Sequence, residues 1–200
     1  MPNWCITYIT INHENEQKLK EFEEKLNSLM SKDYIENSFG KTWLGNLVGN
    51  SGIGTIDENK ESDLRCRGEI TYMENLGNQL VIYTETAWVP MLKLWQKLLE
   101  KYLPDGELIY SAEEGGCNIY CTNDPAMLDS YIIDVWEDVG MAKEYYCTDE
   151  TEESVIEMLQ KLLGSDEEEI NVLLEKFENS EYTDKMLIRK WDFADINEWD

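Results

Sequence analysis

The chain has 200 residues with 42% hydrophobic and 11% aromatic content, enough to bury a core, so a wholly disordered protein is excluded. It holds 42 acidic against 17 basic residues, a formal net charge of −25, and no apolar run approaches the roughly 20 residues of a bilayer-spanning helix. Nucleic-acid backbones and anionic membranes are therefore excluded as direct partners, which leaves basic protein surfaces, cations or water.

Asn3 to Ile11 (NWCITYITI) is β-branched, aromatic and apolar on both faces, which predicts a central strand. Lys18 to Met30 spaces Leu19, Phe22, Leu26 and Leu29 helically against Glu and Lys, and predicts an amphipathic helix. Residues 31–63 break the pattern and read as a long Gly- and Asn-rich loop, pinned to the core by Trp43, Leu44 and Val48. Within residues 45–54, GNSGIG imitates a phosphate cradle. Asp57, Glu58, Glu61 and Asp63 follow it where a lysine is needed, so no phosphate site is expected.

Leu64 to Met73 and Asn78 to Thr86 flank Glu74-Asn75-Leu76-Gly77, a hairpin signal with Gly77 free to take a positive φ. Trp88 and Pro90 form a strand-to-helix corner, and Met91 to Tyr102 carries Leu92, Trp95, Leu98, Leu99 and Tyr102 on one apolar face. Glu107 to Glu113 and Cys117 to Thr122 predict a second hairpin across Glu114-Gly115-Gly116, and Tyr131 to Val139 one more strand with an acidic solvent face. Thr151 to Leu163 is a helix with Glu152 and Glu153 in its first turn. A second helix opens at the capping box Ser165-Asp166-Glu167-Glu168 and continues through Ile170, Leu173, Leu174 and Phe177. Tyr182 to Phe193 reads as a last strand, and the end WDFADINEWD as partly loose.

This order contains β-α-β-β-α-β. The expected fold is α+β, a ferredoxin-like split β-α-β antiparallel sheet with extra C-terminal strands and an acidic helical hairpin. The expected division is a ferredoxin-like domain over residues 1–140, its long loop at 31–63, and an appendage over residues 141–200.

Five scattered cysteines (Cys5, Cys66, Cys117, Cys121, Cys147) suit reduced, mostly buried thiols. In an extended CNIYC, Cys117 and Cys121 would lie about 13 Å apart, too far for one zinc ion. With His13 the single histidine and no nucleophile motif, no triad can be written, and no catalytic, cofactor or metal residue is assigned. The N-terminus MPNWCITYIT lacks a basic start and a small-residue cleavage site, so the expected location is the cytosol.

Four pieces, Met1 to Cys5 (MPNWC), Glu85 to Pro90, Lys101 to Pro104 and Tyr110 to Tyr120, are distinctive in combination. Over roughly residues 1–140 they resemble the YubB-type ferredoxin-like proteins of phages and plasmids. The resemblance implies a ferredoxin-like domain carried on a mobile element and brings no catalytic residues with it. The C-terminal region and the strong acidity lie outside that pattern.

The charge is uneven: residues 1–100 hold 15 acidic and 10 basic residues, and residues 101–200 hold 27 and 7. The reading favoured by this asymmetry is an accessory protein whose acidic face occupies a basic, nucleic-acid-binding surface of a host or defence protein, as an anti-CRISPR-like inhibitor or nucleic-acid mimic. The expected contact residues are Asp124, Asp129, Asp134, Glu137, Asp138, Glu144, Asp149, Glu150, Glu152 and Glu153. One alternative is a non-catalytic assembly module using Trp191, Phe193 and Trp199. Another is an enzyme using the carboxylates Glu113 and Glu114.

Overall fold

In the computed structural model, which describes residues 3–56, 64–140 and 148–199, strand β1 (Trp4–Asn12) alternates strictly between two environments. Cys5, Thr7, Ile9 and Ile11 are buried, whereas Trp4, Ile6 and Tyr8 are exposed. Helix α1 (Glu16–Ser31) follows, its N-terminus capped by the Asn15 side chain, which accepts hydrogen bonds from the Gln17 and Lys18 amides. Its Leu19, Phe22, Leu26 and Leu29 enter the core, as their spacing predicted.

The segment expected to be a bare loop contains helix α2 (Leu44–Ser51), which closes on Gly52 at φ +67°. Two glycines and two asparagines make LGNLVGNS a poor helix by propensity, so packing must hold it. Leu44, Leu47 and Val48 are fully buried, and Asn50 Nδ2 donates to the Leu29 carbonyl at 2.7 Å. The string GNSGIG thus ends a helix instead of opening one, and a helix C-terminus repels phosphate.

Strands β2 (Gly68–Asn75) and β3 (Gln79–Ala87) form the first hairpin, with Gly77 at φ +96°. Helix α3 (Leu92–Tyr102) begins two residues after Pro90 and buries Leu92, Leu94, Trp95, Leu98 and Leu99. Strand β4 (Glu107–Glu114) and strand β5 (Ile119–Thr122) are joined by a turn over residues 115–118, so Cys117 belongs to the turn and not to a strand. The sheet order is β2-β3-β1-β4-β5, and the pairings β1/β3, β1/β4, β2/β3 and β4/β5 are antiparallel. The first four strands with α1 and α3 give the split β-α-β arrangement of a ferredoxin-like α+β fold. Helices α1 and α3 pack on the face of Cys5, Ile9, Ile11, Leu80, Ile82 and Tyr110. Each such buried aliphatic or aromatic side chain contributes about 1.5–3 kcal/mol.

Beyond β5 the structure differs from the expected layout. Strand β6 (Ser130–Val135) pairs with β7 (Thr148–Thr151) and β8 (Met186–Lys190) in a separate three-stranded sheet, order β7-β6-β8. Helices α4 (Glu152–Leu163) and α5 (Ile170–Glu178) share a core with it through Ile133, Val155, Leu159, Leu173, Phe177 and Ile188. The chain accordingly forms two units, Met1–Asp124 with Phe193–Asp200, and Pro125–Asp192, so the division falls at 124 instead of 140. The last predicted strand is two: β8 in the small sheet, then β9 (Asp192–Phe193) beside β5 in the large one. The Ser165 capping box does not form. Ser165 Oγ accepts from the Glu167 amide, and α5 starts later, after Glu169. Thr151, by contrast, does cap α4, accepting from the Ser154 amide at 3.3 Å.

The expected loose end is docked. Tyr110, buried in the large core, donates its hydroxyl to the Ala194 carbonyl at 2.8 Å and accepts from Trp199 Nε1 at 2.8 Å. Burial raises this phenol's pKa well above its ordinary range, so it stays a neutral donor. Among the described residues no helix is long and apolar enough to cross a membrane. Tyr110→Phe should cost about 1–3 kcal/mol in urea unfolding at neutral pH, because both partners lose their hydrogen bonds. It should also expose the C-terminal segment to limited proteolysis.

Candidate protein-binding face

Three of the sequence's four conspicuous motif pieces, Met1 to Cys5, Glu85 to Pro90 and Tyr110 to Tyr120, meet at one corner of the large sheet. The Asn3 carbonyl accepts from the Trp88 amide at 2.9 Å, and the Asn3 side chain hydrogen-bonds Glu114. A Cβ at Gly116 would run into Asn3, which explains the glycine there. Glu114 is buried, and its carboxylate accepts from the Gly116 amide at 3.0 Å and from the Cys117 amide. Desolvation pushes its pKa up, but the hydrogen bonds from Cys117, Gly116 and Asn3 outweigh that and hold the carboxyl below its ordinary 4.5. Glu114 is thus a carboxylate closure for the turn, ionised at neutral pH.

The corner fixes Trp88 in a left-handed conformation, φ +67°, that an L residue of this bulk adopts at a cost of about 1–3 kcal/mol. The neighbouring Thr86 Oγ1 donates to the Val89 carbonyl at 2.8 Å, and the indole stands outward under the Arg67 guanidinium, 5.2 Å from the ring centroid.

From this corner the face opposite α1 and α3 lies open across β1, β2 and β3. Tyr8, Tyr83 and Tyr72 form a row across the three strands, 37%, 37% and 46% exposed. Their rings meet edge to face, Tyr8 to Tyr83 at 4.9 Å and Tyr72 to Tyr83 at 5.4 Å. A β-bulge builds the row. The register shifts between Ile70 and Tyr72, so Tyr72 and not Thr71 lies opposite Tyr83. Without that extra residue Tyr72 would point at the helices.

Around the row stand Ile6 and a set of glutamates on the same face: Glu85 opposite Ile6, Glu69 opposite Glu85, Glu113 across β4, and Glu74 beyond Tyr72. Thr42 Oγ1 orients Glu69 at 2.6 Å, and the Tyr72 hydroxyl donates to Glu74, which raises the Tyr72 pKa. Strands β1 to β4 contain no lysine or arginine. Aromatic sheet faces can stack single-stranded bases, but that use requires cations for the phosphates, and this face offers carboxylates.

Of the acidic residues expected to make contact, those described on the small sheet do not share one face. Asp124 follows β5 in the first unit, and Glu144 lies outside the described residues. Asp149 and Glu150 are neighbours on β7 and point to opposite faces of the small sheet. Asp149 accepts from Trp191 Nε1 at 2.9 Å, Glu150 from Ser154 Oγ at 2.7 Å, and Asp138 from the Gly140 amide at 2.9 Å. Asp129 pairs with Lys190 at 3.2 Å, and Glu152 accepts from the Tyr131 hydroxyl at 3.1 Å. Burial and Glu152 push the Tyr131 phenol up to about 12. Asp134 sits on β6, Glu137 and Asp138 follow that strand, and Glu153 lies in the first turn of α4, where the helix dipole favours it.

The alternative contact tryptophans are also engaged internally. Trp191 is buried and Trp199 docks on Tyr110, leaving Phe193 exposed. Of the thiols, Cys5 is buried, which pushes its pKa up to about 12, and Cys117 is exposed. Comparisons with protein-family models, with curated proteins and with solved structures find no match for this chain.

The Glu114 pKa lies below its unfolded value, so its stabilisation is present above pH 4.5 and is lost as pH falls through the folded value. Glu114→Gln should therefore lower the melting temperature at neutral pH, with the difference from wild type shrinking as the pH is taken well below 4.5. A gap that stays constant across that titration would remove the ionised-closure role.

Proposed function

We propose that this chain is a non-catalytic binding protein whose open sheet face occupies a basic surface of another protein, of the kind that otherwise holds nucleic acid. The observation that carries this reading is the make-up of that face: three interlocked tyrosines and Ile6 among Glu69, Glu74, Glu85 and Glu113, with no cation in the four strands. An arginine can stack its guanidinium on a tyrosine ring and pair with an adjacent carboxylate, so rings interleaved with carboxylates suit an arginine-bearing surface. The net charge of −25 adds long-range attraction, which speeds encounter and weakens with salt.

The same carboxylates repel phosphate, so the partner is the protein and not its nucleic acid. They also oppose face-to-face pairing of two copies of this chain. The mobile-element origin implied by MPNWC, TETAWVP and the Tyr110 to Tyr120 stretch makes a host or defence protein the expected partner, with action in the host cytosol as an anti-CRISPR-like inhibitor. The acids of residues 125–192 contribute to the long-range field in this reading, and the tyrosine face makes the contact. Carboxylate catalysis is less supported, because Glu114 is committed to its turn.

Binding of an arginine-rich peptide and a lysine-rich peptide of equal length tests the reading by fluorescence anisotropy. The wild type should prefer the arginine peptide. The triple variant Tyr8→Ser, Tyr72→Ser, Tyr83→Ser, which leaves net charge unchanged, should lose that preference and about tenfold in affinity, the sum of a few cation–π contacts. Replacing Asp129, Asp149 and Glu153 by amides should have the smaller effect, confined to low salt. The reverse ranking would overturn the assignment of the face.

A further inference from the structure

At the Trp88 end of the large sheet a cleft of about 880 Å³ carries two arginines among its described lining residues, in a chain of net charge −25. Its apolar wall includes Phe39, Trp43, Met91 and Trp88, and its polar lining includes Arg65 and Arg67. These are two of the three arginines in the sequence, and among the described residues no carboxylate lines the cleft. Both guanidinium-bearing residues are exposed. Neither is in an ion pair among the described residues, and the Arg67 guanidinium stands 5.2 Å from the centroid of the Trp88 ring. In a protein with 42 acidic residues, two arginines with no carboxylate partner among the described residues, set beside an apolar wall, offer positive charge that an anionic ligand would neutralise.

The walls are built for the position they hold. Trp43 bridges to Glu69 at the outer edge of β2, and its ring lies so close over Gly45 that a Cβ there would collide with it. Phe39 packs its edge against Trp4, centroids 6.0 Å apart. Trp88 is kept in its strained backbone conformation, with its ring half exposed, by the Asn3 carbonyl. A glycine or asparagine would take φ +67° at less cost, so the indole at this position serves something other than the turn. The volume falls within the range of small-molecule clefts.

We infer that this cleft binds a small organic anion with a planar apolar body, its charged group held by Arg65 and Arg67 and its body against Phe39, Trp43 and Trp88. A cation would meet two like charges. A neutral polar molecule would leave the guanidiniums without a counter-charge and the aromatic wall without a matching surface. The site does not depend on the tyrosine row, and its charge preference has the opposite sign.

Isothermal titration calorimetry of the full chain with anilinonaphthalene sulfonate, and with the uncharged phenylnaphthylamine as its control, tests the inference. The sulfonate should bind saturably, one molecule per chain. The double variant Arg65→Gln, Arg67→Gln should weaken it about tenfold or more, the loss of a charge-assisted contact, while leaving the uncharged control little changed. Trp88→Gly should weaken both probes without lowering the melting temperature, because glycine relieves the strain. Tyr83→Ser should leave both unchanged. The inference fails if the sulfonate does not bind saturably, if the arginine variant binds it as well as wild type, or if both probes are lost together from that variant.

Discussion

Everything in the large unit depends on β1 having two faces with different fates. Cys5, Thr7, Ile9 and Ile11 meet α1 and α3, and that contact excludes water from the core. Trp4, Ile6 and Tyr8 are held in the open by the same strand, because a strand's side chains alternate and, among the described residues of this unit, no helix covers the second face. An antiparallel sheet covered on one side is common enough. An uncovered side that carries tyrosine, isoleucine and glutamate without a single lysine or arginine in its strands is a composition suited to a partner more than to water.

The two proposed sites share one rigid corner. Asn3 joins the first strand's entry, the Trp88 turn and the Glu114 turn. The residues that make the motif pieces look like a signature are therefore mostly holding backbone: Gly116 makes room for Asn3, and Glu114 accepts two turn amides. What they hold in place is Trp88 with Arg67 above it, where the acidic tyrosine face gives way to the basic cleft. A corner fixed by several hydrogen bonds presents both surfaces without a large ordering cost on binding.

Much of the fold was legible because period and punctuation agree in this sequence. The spacing of Leu19, Phe22, Leu26 and Leu29 and the turn at Gly77 mark their elements unambiguously, and the β-α-β-β-α-β order follows. Helix α2 was not legible, because LGNLVGNS lacks helix propensity and exists through the burial of Leu44, Leu47 and Val48. The small sheet was misplaced for a related reason: alternation in Tyr131 to Val135 identifies a strand but carries no information about which strand it joins. The tyrosine row was missed twice over. Apolar residues on both faces of β1 suggest burial on both, and the bulge that turns Tyr72 outward leaves no mark in the sequence. The ten acids were visible as charge, but their internal partners, such as Trp191 on Asp149 and Lys190 on Asp129, were not.

The central claim is that contact is made by the tyrosine face and not by the acids of the second unit. Site-specific photo-crosslinking in the host cell tests it most directly, with a photoreactive phenylalanine analogue placed in turn at Tyr83 and at Glu157 on α4. The account predicts a crosslink from the Tyr83 position to a basic, nucleic-acid-binding protein and none from the Glu157 position. A crosslink to such a protein from the Glu157 position alone would contradict it.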